Sequence, residues 1–197
     1  FTQGNLTHVE NPFSVALEGD GFFQIRTESG ELQYTRDGSF EISPVANGNM
    51  LCTSDGNPVL DAYGNQIILP SNRVATDLVV NQDGTLAFPD GTGNPAVITD
   101  ANGRPVKFGI YQFNNPAGLS KEGSNNYSVT VASGAAVAEN GNAAVKQTKT
   151  HQYYTEASNV DVANEMVNLI VAQRAYEMNS KAIQASDEMM QQANALR

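Results

Sequence analysis

The chain has 197 residues, which is enough for one medium domain or two small ones. Its 21 acidic and 11 basic residues give a formal net charge of −10, which argues against a nucleic-acid partner because phosphate binding needs a basic surface. The single cysteine, Cys52, excludes an internal disulfide and a metal site with several cysteine ligands, and no apolar run is long enough to cross a bilayer.

Short strands are predicted from Phe13 onward. Phe13, Val15 and Leu17 alternate with other residues at the period of two that is typical of a half-buried strand. Dipeptides of Asp or Asn with Gly then recur between short apolar runs, and such dipeptides supply the positive φ angles that tight hairpins need. The sequence therefore predicts antiparallel β structure over most of the chain.

The predicted fold class is mainly β with a long C-terminal α-helix. In chain order, the predicted parts are an extended N-terminal segment (1–12), a β-rich domain (13–145, with candidate sub-units 13–70 and 71–145), a connecting strand or linker (146–157) and a C-terminal helix (158–197). The end of the β-rich domain, residues 133–145, is rich in Gly, Ala and Asn and is predicted to be a loop.

The C-terminal helix is predicted from composition. No proline follows Pro116 and no glycine follows Gly141, and the tail is rich in Ala, Met, Gln and Glu, which lose little rotamer freedom in a helix. Ser158, with Asp161 three residues later, is predicted to satisfy free amides of the first turn. A helix of this length would span about 55–60 Å, too long for an ordinary globular helix.

Apolar and small side chains recur every seven residues along this helix and form one apolar arc, which is typical of a coiled-coil surface. In the first turns the apolar residues surround nearly the whole helix. Leaving them in water would be costly, since burying one such side chain is worth roughly 1.5–3 kcal/mol. The predicted self-assembly residues are Val162, Met166, Leu169, Ile170, Ala172, Ala175, Tyr176, Ala182, Ile183, Met189, Met190 and Leu196.

An alternative is that the helix packs on its own β domain. The rest of the chain argues against this, because it is β-rich and offers no second helix. A helix that is apolar on several sides needs several neighbours. Partner helices are therefore expected to cover it.

No catalytic, cofactor or metal site is predicted. His8 and His151 lack a neighbouring Cys or Glu at the spacing of metal ligands. The Gly19-Asp20-Gly21 segment is not followed by the lysine of a phosphate loop, and no Gly-x-Ser-x-Gly motif occurs. An enzyme is not expected, and a small-molecule substrate is not expected either. A β-rich surface-binding module tethered by a coiled coil remains as an alternative.

Several segments resemble the axial proteins of the bacterial flagellar rod and hook. The long helical stretch 157–189 is similar to the C-terminal signature of that family. Matches also occur where the chain reads Glu18-Gly-Asp-Gly-Phe-Phe, Tyr34-Thr-Arg-Asp-Gly-Ser-Phe, Asn115-Pro-Ala-Gly-Leu and, at its start, Phe1-Thr-Gln-Gly. Within the family the helix is most like that of the subunits of the distal rod, with another rod or hook subunit as the alternative.

The resemblance implies a structural subunit of the flagellar basal body. Helices of many copies would pack into a helical tube, a β-rich domain would decorate its outside, and the tube would transmit torque from motor to hook. Other rod and hook proteins are implied as partners, with surrounding ring proteins as further candidates. The resemblance also implies type III export without a cleavable signal peptide. The family's N-terminal helical segment is not found, so a truncated or processed form is expected.

Overall fold

A computed structural model describes residues 2–90, 95–142 and 144–195. The chain divides into two compact units, Phe1–Ser158 and Asn159–Arg197. The first unit consists of short antiparallel strands, and the second contains one long helix, α1 (Val162–Ala195). The predicted fold class, mainly β with a long C-terminal helix, is confirmed.

The strands of the first unit are two to five residues long. In chain order they are β1 (Leu6–His8), β2 (Val15–Glu18), β3 (Phe22–Arg26), β4 (Leu32–Thr35), β5 (Glu41–Val45), β6 (Gly48–Cys52), β7 (Ile68–Leu69), β8 (Val79–Val80), β9 (Leu86–Pro89), β10 (Pro95–Val97), β11 (Ile110–Gln112), β12 (Ser120–Gly123), β13 (Asn126–Ser128), β14 (Val137–Ala138), β15 (Lys149–Gln152) and β16 (Tyr154–Glu156). Short 3-10 helices span Ala75–Asp77 and Pro116–Gly118.

Hairpin turns of one kind recur along this unit. In each, the first residue donates its N–H to the carbonyl four residues later, and a glycine at the fourth position donates back to the first carbonyl. That glycine has a positive φ, from 76° to 86°, as a type I turn with a glycine bulge requires. The turns begin at Thr27, Thr53, Asp61, Asn81 and Asp100. The turn dipeptides read from the sequence thus set the register of the flanking strands.

The largest sheet has the order β12-β13-β4-β3-β11-β14. Two further pairings join distant parts of the chain: β1 pairs with β16, and β2 pairs with β15. Both are antiparallel, and both bring residues near the start of the chain against residues 149–156. The pair β1–β16 is called the terminal ribbon below.

The core of the first unit draws on both of the predicted sub-units. Phe23 and Phe40 come from residues 13–70 and Phe108 from residues 71–145, and all three are fully buried in one cluster. The ring centroids of Phe23 lie 5.0 Å from Phe40 and 5.3 Å from Phe108, both in edge-to-face contact. The two segments therefore share one hydrophobic core.

Three local predictions need correction. The predicted loop 133–145 contains a short strand, β14, which forms an edge of the large sheet. The stretch 146–157 carries two strands rather than one, because Tyr153 adopts φ +65° and separates β15 from β16. The helix begins at Val162 rather than at Ser158.

Candidate self-assembly helix

The start of α1 is determined by Asp161. Its Oδ1 accepts the N–H of Ala163 at 2.9 Å, and its Oδ2 accepts the side-chain amide of Asn164 at 2.8 Å. Its backbone carbonyl accepts the N–H of Glu165 at 3.0 Å. Asp161 is therefore the N-cap, where a carboxylate also interacts favourably with the helix dipole. Ser158 was predicted to share this role, but it lies before the first turn.

Asp161→Ala should weaken the first turn of α1, by about 1 kcal/mol, because the amide of Ala163 would lose its acceptor. Lower helix content by far-UV circular dichroism would be the readout. The control is Asp161→Asn, which keeps an oxygen in the same place and should cost only a few tenths of a kcal/mol. Equal helix content in Asp161→Ala and the parent chain would contradict this role.

The helix has 34 residues and a length of about 50 Å. Side chains from 162 to 192 are all exposed apart from Ser180, which is half-buried. Leu169 is 68% exposed, Tyr176 77% and Ile183 64%. The unit that contains α1 has no other helix or strand among its described residues, so nothing within that unit covers the apolar surface of α1.

The predicted assembly residues lie on α1, with one outside the described part. The larger apolar ones are all exposed: Val162, Met166, Leu169, Ile170, Tyr176, Ile183, Met189 and Met190. Ala172, Ala175 and Ala182 are exposed as well. Leu196 lies outside the described residues. At 100° per residue, the side chains of Leu169, Tyr176 and Ile183 fall within 40° of one another.

Both histidines contact neighbouring side chains of the β unit. The Nε2 atom of His151 lies 2.7 Å from Glu18 Oε2, and this hydrogen bond lowers the pKa of the Glu18 carboxyl. His8 packs against the rings of Tyr153 and Tyr154. In the described ranges, no group of three or more His, Cys, Asp and Glu side chains is placed to hold a metal ion.

A cleft of about 370 Å³ opens between two of the hairpin turns. Its most buried acid is Asp61, whose Oδ1 accepts the N–H groups of Tyr63 and Asn65, both at 2.8 Å. On the opposite wall, Asp100 is paired with Arg104 at 3.0 Å. Both carboxylates are occupied in shaping turns, so the cleft offers neither of them as a free base or nucleophile.

The helices of the described residues include none that is both long and apolar enough to span a membrane. The apolar residues of α1 are interspersed with charged and amide side chains along its length. This composition is typical of a helix that packs against protein.

Comparison with known proteins gives two family matches. Residues 151–196 match the model described as "Flagellar basal body rod FlgEFG protein C-terminal". Residues 16–88 match the model described as "Flagellar hook protein FlgE/F/G D1 domain". The first match covers all of α1, and the second runs from the second residue of β2 to the third residue of β9.

Individual relatives match along nearly the whole chain. The flagellar basal-body rod protein FlgG of Buchnera aphidicola subsp. Acyrthosiphon pisum is 37% identical over 99% of this chain and 69% of the relative. FlgG of Borreliella burgdorferi is 39% identical over 100% of this chain and 69% of the relative. The flagellar hook-basal body complex protein FlhP of Bacillus subtilis is 34% identical over 99% and 69%. The chain thus belongs to the flagellar rod and hook protein family, whose members are structural proteins rather than enzymes, and along its whole length it is similar to the FlgG rod proteins.

Proposed function

We propose that this chain is a structural subunit of the distal rod of the bacterial flagellar basal body, which polymerises with copies of itself into a helical tube. The observation that carries the proposal is the apolar surface of α1, a 34-residue helix whose apolar side chains are not covered by any other described element of its own unit. Covering that surface with neighbouring helices removes its apolar area from water, which is the main driving force of such association.

The distribution of apolar residues supports a tube rather than a closed pair. Leu169, Ile170 and Val171 point to different sides of the helix, about 100° apart, and are each at least half exposed. A two-helix contact covers one stripe only, whereas this part of the helix needs neighbours on several sides. Repeated head-to-tail contacts between identical subunits produce a helical assembly when the rotation does not close.

The partners follow from this role. Copies of the same chain would form the distal rod, and other rod and hook proteins would continue it at each end. Ring proteins surrounding the rod are further candidates. The tube would transmit torque from motor to hook, and the subunit would reach it through the flagellar type III apparatus without a cleavable signal peptide.

Immunogold labelling of purified hook–basal bodies tests the position directly. An antibody against the β unit should label the distal rod in the bacterium that makes this chain. Deleting the gene should remove that label together with the hook. Label confined to the hook or to the proximal rod would assign the chain to another subunit of the axis, and absence of label from the basal body would overturn the proposal.

A further inference from the structure

Motifs far apart in the chain meet at one place in the β unit. The opening Phe1-Thr-Gln-Gly segment, the Glu18-Gly-Asp-Gly-Phe-Phe segment and the Tyr34-Thr-Arg-Asp-Gly-Ser-Phe segment each contribute polar groups there. The point of contact is the end of β16, which is the last strand before α1. These motifs contribute to the resemblance to the family, but they lie outside the assembly surface of α1.

Arg36 lies at the centre of this contact. Its Nη1 donates to the carbonyls of Gly19 and Gly21, both at 2.9 Å. Its Nε donates to Glu156 Oε2 at 3.0 Å, and its guanidinium lies 5.6 Å from the centre of the Phe22 ring. The Nη2 atom is 2.9 Å from the same Glu156 oxygen but poorly aligned for a hydrogen bond, so its contribution is electrostatic. One side chain thus connects the β2–β3 turn to β16.

Glu156 extends the connection to the start of the chain. Its second oxygen, Oε1, accepts the N–H of Gly4 at 2.9 Å. The N–H of Ala157 donates to the carbonyl of Asn5 at 2.9 Å. The side chains of Arg36 and Glu156 are only 16% and 14% exposed, so solvent screens their attraction less than at an open surface.

Residues 2–5 lie across this contact as a strap. Gln3 donates from Nε2 to the carbonyl of Leu17 at 2.8 Å and accepts the N–H of Gly19 at 3.1 Å. At Gly4 a β-carbon would come within 1.8 Å of the carbonyl oxygen of Ala157. Only glycine allows the strap to approach residue 157 this closely.

We propose that Arg36 and Glu156 form a lock that holds the strap (residues 2–5) and the terminal ribbon to the rest of the β unit. Opening the lock would release the strap and the terminal ribbon together. The reason is that Gly4 of the strap is hydrogen-bonded to the carboxylate of Glu156, which is the last residue of β16. The chain continues from β16 through residues 157–161 into α1. If the chain has the proposed rod function, the lock lies on the covalent path along which force passes between α1 and the β unit.

Amide hydrogen exchange, followed by NMR on the 197-residue chain, tests the lock without any assembly. The reporters are the amides of Gly4, Val9 and Ala157, which donate to Glu156, Tyr153 and Asn5. Arg36→Met removes the guanidinium and should accelerate exchange of these three amides at least tenfold, which corresponds to about 1.4 kcal/mol. Amides in the core, at Leu51, Val59 and Leu86, should keep their rates.

Arg104→Met is the matched control. Arg104 also pairs with a carboxylate, Asp100, and also covers an aromatic ring, Tyr63, but within hairpin turns away from the strap. It should leave the three reporter amides unchanged. Acceleration below tenfold in Arg36→Met, or equal acceleration of the core amides, would overturn the lock, as would the same change in the control.

Glu156→Gln tests the lock by changing the carboxylate instead of the guanidinium. It replaces Arg36→Met as the test if that variant does not fold. It keeps the acceptor for Gly4 but removes the charge facing Arg36. The same three amides should exchange faster than in the parent chain, with the core amides unaffected. No acceleration, or acceleration throughout the unit, counts against the lock. Because the readout is local opening of a single chain, it does not depend on whether the rod function is correct.

Discussion

Leu169→Asp should abolish assembly of the chain into the rod while its β unit stays folded. Leu169 is 68% exposed in the single chain, so the substitution removes little packing there. In the tube the same position would be covered by neighbouring helices. The loss would combine the burial of leucine, roughly 1.5–3 kcal/mol, with the several kcal/mol needed to desolvate a carboxylate.

The combined penalty of about 5 kcal/mol per subunit should raise the critical concentration for assembly by about three to four powers of ten. Electron microscopy of basal bodies from cells that carry the substitution should show no rod beyond the position where this subunit begins. Sedimentation of the purified chain at rising concentration should show loss of association. Ile183→Asp, two heptads further along, should behave in the same way.

Lys181→Asp is the control for these assembly variants. This variant introduces aspartate into the same helix and changes the net charge more than Leu169→Asp does. Position 181, however, lies opposite the apolar arc. Rods should form in this variant. Normal rods in Leu169→Asp, or equal loss in Lys181→Asp, would show that the apolar arc is not the assembly surface.

Of the single substitutions considered, Gly38→Ala should lower the free energy of unfolding of the β unit the most. A β-carbon at position 38 would lie 1.8 Å from the carbonyl oxygen of Val15 and 3.2 Å from the Phe23 ring. To relieve this overlap, β2 must move away, which breaks the bond from the Val15 N–H to the Gly38 carbonyl, 3.0 Å long. We expect a loss of about 3 kcal/mol, at the upper end of the range for overpacking.

Gly56→Ala is the matched control for Gly38→Ala. Gly56 has φ +83°, and nothing lies within 4 Å of the site of a β-carbon, so only the left-handed backbone is strained. That strain costs about 1 kcal/mol. Urea unfolding, followed by the near-ultraviolet circular dichroism of the buried Tyr34, would compare the two variants. A smaller loss in Gly38→Ala than in Gly56→Ala would contradict the steric argument.

Of the candidate site, the sequence predicted the helix and the line of apolar residues along it. The seven-residue line through Leu169, Tyr176 and Ile183 could be read directly, because the period of an α-helix fixes which residues share a side. Which neighbours cover these residues could not be read, since the period of the helix does not identify the surfaces that pack against it. The N-cap was also ambiguous, because Ser158 and Asp161 have equal capping ability and only the start of the helix distinguishes them.

The sequence by itself determined the local structure of this protein. Glycines such as Gly64 and Gly84 mark their turns because few other residues adopt a positive φ at low cost, and a tail without Pro or Gly favours a helix. Only the tertiary structure decided that Arg36 meets Glu156, 120 residues later, and that β1 pairs with β16. Turn and helix preferences act over a few residues, whereas these contacts depend on the register of strands from opposite ends of the chain.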